Sequence, residues 1–194
     1  MKKNLITAVL MTVATTILLG VIYPLVVTGL AQLMFPHQAN GQLIQKDGKL
    51  IGSAIIGQGF SGPAYFHSRP SAAGNGYDAA NSNGSQYGPT NQKLIDRVKG
   101  DVATAQTDSP GKPVPIDLVT ASASGLDPDI TPAAAKFQIW RVAVEREVAE
   151  AEIERLVAEH TKGRQWGFLG EPRVNVLELN LALDERFPVH RKRQ

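Results

Sequence analysis

The amino-acid sequence predicts an α+β protein: one N-terminal transmembrane helix, then a small mixed α/β extracytoplasmic domain with a long irregular loop region. Three observations support this fold class. No charged residue occurs between Lys3 and Lys46, a strand–turn–strand pattern surrounds Asp47-Gly48, and apolar residues recur at helical spacing in the second half of the chain. We therefore assign residues 1–36 to a cytoplasmic stub and transmembrane anchor, and residues 37–194 to the extracytoplasmic domain.

The composition excludes several classes of function. Lys and Arg number 20 against 18 Asp and Glu, so the net charge of +2 lacks the basic surplus of a nucleic-acid-binding protein. The chain contains no cysteine, which excludes a disulfide, a thiolate nucleophile and a thiolate zinc site. The four histidines are scattered, so the sequence predicts no metal site.

The apolar run from Leu5 to Phe35 is longer than the ~20 residues that cross a bilayer. A cleaved signal peptide has an apolar core of only about 7–15 residues, so we interpret the run as an uncleaved anchor. Lys2 and Lys3 precede it, whereas Pro36 to Gln45 carry no charge. The positive-inside rule therefore places the N-terminus in the cytoplasm and everything after about residue 36 outside.

A β-hairpin is predicted directly after the anchor. The Asp47-Gly48 dipeptide supplies the positive φ angles of a type I′ turn between two short strands, Leu43–Lys46 and Lys49–Gly52. We expect the second strand to continue through Ala54–Ile56 to Gly57.

The segment from Gln58 to Pro89 contains few aliphatic residues. Connections inside compact domains are usually about 4–6 residues long, so this segment is either a binding surface or disordered. Its aromatic residues favour an ordered, functional loop, and they are Phe60, Tyr65, Phe66, Tyr77 and Tyr87. We predict that this loop docks a protein partner.

A helix is predicted after the loop, with Thr90 as its cap. Four apolar residues recur there at helical spacing: Leu94, Ile95, Val98 and Val102. Two prolines and a glycine predict a turn region over Thr107–Pro115. The following residues, Ile116–Val119, predict a short strand.

Thr131-Pro132 predicts the start of a second helix, because Pro at the first helical position needs no N–H donor. Thr131 is the predicted cap, and Asp127 and Asp129 just upstream would also cap the positive end of the helix dipole.

The apolar pattern of this second helical region changes phase along the chain. Three residues, Phe137, Trp140 and Val144, share one face, but Ile153, Leu156 and Val157 lie about half a turn away from it. We therefore predict two helices with a break between residues 145 and 149, the second ending at Gly163. Arg173–Leu177 predicts a strand and Asn180–Phe187 a terminal helix, although alternating leucines there also fit a longer strand.

Candidate catalytic groups are few. Ser109 and Lys112 have the S-x-x-K spacing of penicillin-recognising acyl enzymes. That chemistry needs the pair on a helix, and the Pro-Gly dipeptide between the two residues breaks helices. We therefore interpret the spacing as chance.

Two further groups of side chains are candidate functional sites. Asp127 and Asp129 could act as an acid–base pair, but helix capping is the better interpretation. His67 beside Arg69 is the most suggestive constellation, but a loop held by side-chain hydrogen bonds is a better interpretation than catalysis. A solvated tail is the default for the basic residues 190–193, with contact to anionic lipid as the alternative.

Several stretches resemble one known family in sequence and order. They are Gly52–Gln58 (GSAIIGQ), Tyr65–Ser71 (YFHSRPS), Gly88–Asn91 (GPTN), Val119–Pro128 (VTASASGLDP) and Arg173–Asn180 (RVNVLELN). The chain closely resembles the C subunit of the Kdp potassium-transporting P-type ATPase of bacteria. The resemblance extends from the anchor to about Asp184, which is essentially the whole chain.

This resemblance implies an accessory subunit, without catalytic residues of its own, of a potassium importer in the bacterial cytoplasmic (inner) membrane. Its partners would be a channel-like potassium-translocating subunit, a P-type ATP-hydrolysing subunit, a small single-span subunit and membrane lipid. ATP and potassium would be handled by the partner subunits, so we expect no cofactor of its own. We assign partner binding to Tyr65, Phe66, His67, Arg69 and Asn91.

The family is commonly described as a catalytic chaperone that raises the ATP affinity of the pump subunit. The predicted topology conflicts with a direct form of that role, because only Met1 to about Asn4 would lie on the cytoplasmic side with ATP. We therefore favour assembly and stabilisation of the channel-like subunit. The alternative is a membrane-anchored periplasmic hydrolase with Ser109 or His67 as its catalytic residue.

Overall fold

The computed structural model describes residues 1–189, and this part of the chain divides into two compact units, the first Met1–Ser53 and the second beginning at Ala54. The first unit contains one long apolar helix, and the second combines helices with a small sheet, which confirms the predicted fold class. The basic residues 190–193, for which lipid contact was considered, lie outside the described residues. The boundary between anchor and domain after residue 36 concerns membrane insertion and stays a prediction.

The apolar helix of the first unit has three parts: α1 (Lys2–Thr15), a π-helical segment (Thr16–Ile22) and α2 (Tyr23–Met34). Together they span 33 residues, long and apolar enough to cross a membrane. The wider π-helical turns lie just before Pro24, whose ring cannot donate a hydrogen bond and crowds the preceding turn. The proline is thus accommodated without ending the helix.

The predicted hairpin is confirmed. After a single turn of helix, α3 (Pro36–Ala39), strands β1 (Leu43–Lys46) and β2 (Lys49–Ser53) pair antiparallel. Asp47 and Gly48 have φ angles of 52° and 72°, the left-handed conformation that a type I′ turn requires.

The predicted continuation of the second strand is wrong, because residues 54–56 form a turn. The Gly57 N–H donates to the Leu126 carbonyl at 2.8 Å. A Cβ atom at Gly57 would lie 2.5 Å from the Asp127 carbonyl oxygen, so the close approach of these two backbone segments requires glycine.

Helix α4 (Gln92–Asp108) follows the long loop, in which only one short 3₁₀ turn, Ala79–Asn81, interrupts irregular backbone. The N-cap is Asn91, whose Oδ1 accepts the Lys93 N–H at 2.9 Å, so the prediction that Thr90 caps this helix is wrong. The helix also extends beyond the predicted start of the turn region. Its four predicted apolar residues lie on the half-buried face: Leu94, Ile95, Val98 and Val102.

The predicted strand at residues 116–119 is wrong, because Ile116–Leu118 form a 3₁₀ turn. This turn directs Asp117 inward, where it is buried and its Oδ2 accepts the Thr131 N–H at 2.7 Å. In a strand, the backbone of these residues would instead form hydrogen bonds with a neighbouring strand.

The predicted break between two helices is confirmed. Helix α5 (Pro132–Glu145) and helix α6 (Glu150–Glu159) are joined by a short turn in which Glu147 has a φ of 57°. Helix α6 ends earlier than Gly163, because strand β4 (Thr161–Lys162) follows it directly.

A three-stranded antiparallel sheet has the order β3-β5-β4, with β3 at Asp129–Ile130 and β5 at Arg173–Asn175. Strand β5 is shorter than predicted because Asn175 caps helix α7 (Val176–Arg186), its Oδ1 accepting the Glu178 N–H at 3.1 Å. The C-terminal leucines therefore lie in a helix, as predicted, and the alternative of a longer strand is wrong.

The core of the second unit lies between α5, α6, α7 and the sheet. Its fully buried large side chains include Phe66, Ile153, Leu156, Leu179 and Leu183. Phe66 is the member that comes from the long loop, so the loop is part of the folded unit and not an appendage to it.

The buried face of α5 differs from the predicted one. Phe137 is buried, but Trp140 and Val144 are 44% and 58% exposed. The inward face instead combines small or aliphatic residues with three polar ones: Gln138, Arg141 and the helix-ending Arg146. Those polar residues bind the long loop, as described below, and this requirement decides how the helix is rotated.

Candidate functional site

Side chains of α5 and α7 hold the backbone of the long loop at residues 63–67. Asn180 on α7 accepts the Phe66 N–H at 2.9 Å and donates to the Phe66 carbonyl at 2.9 Å. Gln138 on α5 accepts the His67 N–H at 2.8 Å and donates to the His67 carbonyl at 3.1 Å. Each amide thus satisfies one residue's donor and acceptor, as a neighbouring strand would.

Two buried arginines, Arg141 and Arg146, also bind this segment. Together with Asn180 and Gln138 they form a set of four side chains that we call the clamp. Arg141 donates to the Pro63 carbonyl and, at 3.0 Å, to the Tyr65 carbonyl, while Arg146 Nε donates to the Ala64 carbonyl at 2.7 Å. A guanidinium group presents several donors in a fixed plane, which suits the simultaneous binding of neighbouring carbonyls. Five consecutive loop residues therefore have backbone groups bound by side chains.

Each arginine has a carboxylate close to it. Arg141 Nε lies 3.0 Å from Asp108 Oδ2, as an ion pair without hydrogen-bond alignment, and Arg146 Nη2 lies 2.8 Å from Asp184 Oδ1. Burial lowers the pKa of Arg141, whereas Asp108 acts to raise it. A buried cation with such partners is stabilised, and loss of either partner would leave an unpaired charge.

The first three residues assigned to partner binding lie in the segment that the clamp holds. Phe66 is fully buried. Tyr65 is half-buried, its ring stacks 4.9 Å from the Arg146 guanidinium, and its hydroxyl donates to Asp184 at 3.2 Å. The half-buried His67 has Nε2 at 2.9 Å from the Gly62 carbonyl, and burial, followed by the nearby Arg141, lowers its pKa.

Arg69 connects the loop to the stretch of residues 119–128. Its Nη1 lies 2.8 Å from Asp127 Oδ2, and its Nε donates to the Thr120 carbonyl at 3.3 Å. Two residues later, Ser71 donates to the Gly125 carbonyl at 2.6 Å. Stretches that carry the family resemblance thus meet in space, and their polar residues bind one another.

Asp127 and Asp129 do not cap helix α5, contrary to the prediction. Asp127 pairs with Arg69, and Asp129 Oδ2 lies 3.1 Å from Arg173 Nε. Burial raises the pKa of Asp129, and Arg173 opposes that rise. The two carboxylates therefore serve as ion-pair partners for arginines of other segments.

The cap of α5 is Thr131, whose Oγ1 accepts the Ala134 N–H at 3.1 Å. Asp117 supports it from outside the helix, accepting both the Thr131 N–H and, at 3.2 Å, its hydroxyl. Sequence reasoning missed this role of Asp117. The available signal was a lone carboxylate inside an otherwise aliphatic stretch, which a strand would not readily bury.

The candidate nucleophile is occupied. Ser109 is buried, and its hydroxyl donates to the Phe137 carbonyl at 3.0 Å. A cavity of about 230 Å³ nearby is lined by polar residues that include His67, Asp101 and Gln138. Among residues 1–189 no group of three or more His, Asp or Glu side chains is arranged to hold a metal ion.

Two apolar surfaces of the second unit lack cover in the described part of the chain. One is formed by Trp140 and Val144 on α5. The other is a turn after β4, in which Trp166 and Phe168 are exposed. The first pair shares a predicted apolar helix face with Phe137, and no sequence pattern singled out the second.

Comparison with known proteins gives consistent matches over nearly the full chain. The family model described as "KdpC: K+-transporting ATPase, c chain" matches residues 5–185. A Koribacter versatilis protein named "Potassium-transporting ATPase KdpC subunit" is 67% identical over 189 residues, covering 97% of this chain and 98% of that protein. Proteins of the same name from Acidobacterium capsulatum and Rhodospirillum rubrum are 58% and 56% identical, covering 94% and 97% of this chain and 98% and 99% of their own.

Proposed function

The chain belongs to the KdpC family of potassium-transporting ATPase subunits, and on this premise we propose that it is a non-catalytic subunit that assembles and stabilises the transporter. The domain after the anchor would dock on the channel-like potassium-translocating subunit, outside the cytoplasmic membrane. The P-type ATP-hydrolysing subunit and a small single-span subunit complete the proposed complex. These partners, and not this chain, would handle ATP and potassium.

The observation that carries this proposal is the two-sided character of helix α5. Its inner side holds the loop through Gln138, Arg141 and Arg146, so the helix is fixed in orientation. Its outer side exposes Trp140 and Val144 one helical turn apart. A rigidly held, exposed tryptophan beside an aliphatic residue is typical of the centre of a protein interface.

The chemistry of the site supports a structural role over catalysis. Ser109 is buried and its hydroxyl is used, and the ring nitrogen of His67 binds a loop carbonyl. A hydrolase would need one of these groups to be directed at a substrate. The membrane-anchored hydrolase is therefore the weaker proposal. If a Ser109→Ala variant retained hydrolytic activity, Ser109 could not be the nucleophile.

The proposed orientation follows from Lys2 and Lys3, which precede the apolar run from Leu5 to Phe35, whereas residues 36–45 beyond it carry no charge, and from the positive-inside rule. With this orientation the folded domain and ATP lie on opposite sides of the membrane. The rise in ATP affinity described for the family would then be indirect, through the stability or conformation of the translocating subunit.

In this proposal, four of the five predicted partner-binding residues stay candidates for direct contact. Phe66 is buried and acts by shaping the loop. The partly accessible Tyr65, His67, Arg69 and Asn91 stay candidates for partner contact beside the α5 surface.

Co-purification of the complex tests the proposal. Trp140→Ala combined with Val144→Ala should lower recovery of the other subunits, since loss of a central tryptophan typically costs about 2 kcal/mol or more, roughly a thirtyfold weaker association. Ile116→Ala is the matched control, because Ile116 is also aliphatic and 73% exposed but belongs to the 3₁₀ turn at Ile116–Leu118 and not to helix α5. Unchanged recovery with the double variant, at normal expression and thermal stability, would contradict the proposed docking surface.

A further inference from the structure

The chain between β4 and β5 forms a small hairpin that we call the aromatic hairpin (residues 164–171). Its backbone is closed by the Gln165 and Leu169 pair, in which each N–H donates to the other's carbonyl at 2.9 Å. At its base, Arg164 Nη2 contacts both carboxylate oxygens of Glu171 at 2.7 Å. The hairpin therefore has a defined conformation.

The tip of the aromatic hairpin is apolar and fully accessible. Trp166, Phe168 and Leu169 are 85%, 71% and 47% exposed, and the two aromatic rings lie 6.5 Å apart. Trp166 has a φ of 51°, a left-handed conformation that is unfavourable for a bulky residue. Strained backbone and exposed aromatic area are both costly in water, which indicates that the tip has a binding role.

The arrangement of charge on the hairpin fits a membrane surface. Residues 165–170 at the tip carry no charge, and the two cations at the base are each paired with a carboxylate: Arg164 with Glu171 and Lys162 with Glu178, both at 2.7 Å. An uncharged apolar tip above a base of ion-paired polar groups matches the layers of a bilayer, where acyl chains lie beneath polar headgroups. Tryptophan itself prefers this interfacial layer.

A membrane is also always within reach of the hairpin. The apolar helix ends at Met34 and the second unit begins at Ala54. The intervening chain can extend at most about 65 Å, so the anchor keeps the second unit at a high effective concentration near the bilayer. Even a weak lipid contact would then be occupied for much of the time.

We propose that the aromatic hairpin inserts Trp166 and Phe168 into the interface of the bilayer that holds the anchor. The hairpin is thus a second, peripheral membrane contact, separate from the spanning helix and from the docking surface on α5. It limits the rotation of the second unit relative to the bilayer, and this orients α5 for its partner. The contact itself does not depend on the proposed docking.

Tryptophan fluorescence of the full chain tests the contact. The chain has two tryptophans, so Trp140→Phe leaves Trp166 as the single reporter. After reconstitution into vesicles of phosphatidylcholine and phosphatidylglycerol, brominated acyl chains should cause about a twofold loss of Trp166 emission, as expected for an indole at the interface. The reciprocal variant Trp166→Phe, which reports on Trp140, should show no comparable loss.

Spin labelling gives a second measurement that leaves both tryptophans in place. Because the chain lacks cysteine, Phe168→Cys provides a single labelling site, and Ile116→Cys is a matched exposed control. A nitroxide at residue 168 should be more accessible to oxygen than to a water-soluble nickel complex, and the label at residue 116 should show the reverse. Unquenched Trp166 and a water-accessible label at residue 168 would overturn the proposal. The proposal would also be overturned if the hairpin became shielded from water only after the other subunits were added. A protein pocket, and not the bilayer, would then be its binding partner.

Discussion

Asn180 and Phe66 are 114 positions apart in the sequence, and the Asn180 side chain forms two hydrogen bonds of 2.9 Å with the Phe66 backbone. The amide on helix α7 therefore does for the loop what a neighbouring strand would do for an edge strand. Together with Gln138, Arg141 and Arg146 it supplies partners for backbone groups of residues 63–67, an irregular segment without a neighbouring strand. The clamp thus joins the long loop to helices α5 and α7 of the second unit.

The first prediction concerns Asn180. Asn180→Ala should lower the free energy of unfolding by about 2–4 kcal/mol, because it leaves a buried N–H and a buried carbonyl without partners. Asn91→Ala, which removes a partly accessible helix cap, is the control and should cost only about 1 kcal/mol. Thermal or denaturant unfolding of the detergent-solubilised chain measures both. Equal losses would show that the Asn180 hydrogen bonds contribute little.

The second prediction separates Phe66 from its neighbour Tyr65. Phe66→Ala removes a fully buried ring and should destabilise the domain by about 3–5 kcal/mol. Tyr65→Phe keeps the ring beside Arg146 and loses only the hydroxyl contact to Asp184, so its cost should be about 1 kcal/mol. Unfolding curves of the two variants check the order. A stable Phe66→Ala domain that merely lost its partners would restore the ring to a docking role.

The third prediction is a pH dependence caused by His67. Burial and Arg141 lower its pKa below the ordinary value of 6.5, so the unfolded chain binds a proton at a higher pH than the folded one. The stability from neutral His67 is fully present above about pH 6.5 and is lost as the pH falls through the lowered folded pKa. His67→Gln should therefore show a smaller decrease of Tm than the unchanged chain between about pH 7.5 and pH 5. An identical decrease in both proteins would assign it to other groups.

The fourth prediction concerns orientation in the membrane. Lys49→Cys places a single thiol near the turn of the β1–β2 hairpin, where Lys49 is exposed. An impermeant thiol reagent added to intact spheroplasts should label it. Asn4→Cys, on the opposite flank of the apolar run, keeps both lysines and should be labelled only after lysis, because the positive-inside rule retains that end in the cytoplasm. The reverse pattern would invert the proposed topology.

Local features were decided by local sequence. A 33-residue apolar helix, the turn at Asp47-Gly48, the cap at Thr131 and the break near Glu147 each depend on residues a few positions apart. The helix depends on a long uncharged run, the turn on positive φ angles, and the cap on a side-chain to backbone hydrogen bond, and all of these involve residues close in sequence. The sequence therefore determined the anchor, the hairpin and the helical elements, together with the family resemblance.

Tertiary structure alone decided which faces are buried and what the polar residues bind. Apolar spacing on α5 placed Trp140 and Val144 inside, but the loop backbone at residues 63–67 needed donors and acceptors, so the polar side of the helix faces inward. Asp127 likewise fits a helix cap by spacing, yet it pairs with Arg69, 58 positions away. The physical reason is that burying a backbone segment requires a partner for each of its polar groups, and such partners come from distant parts of the chain that local patterns do not identify.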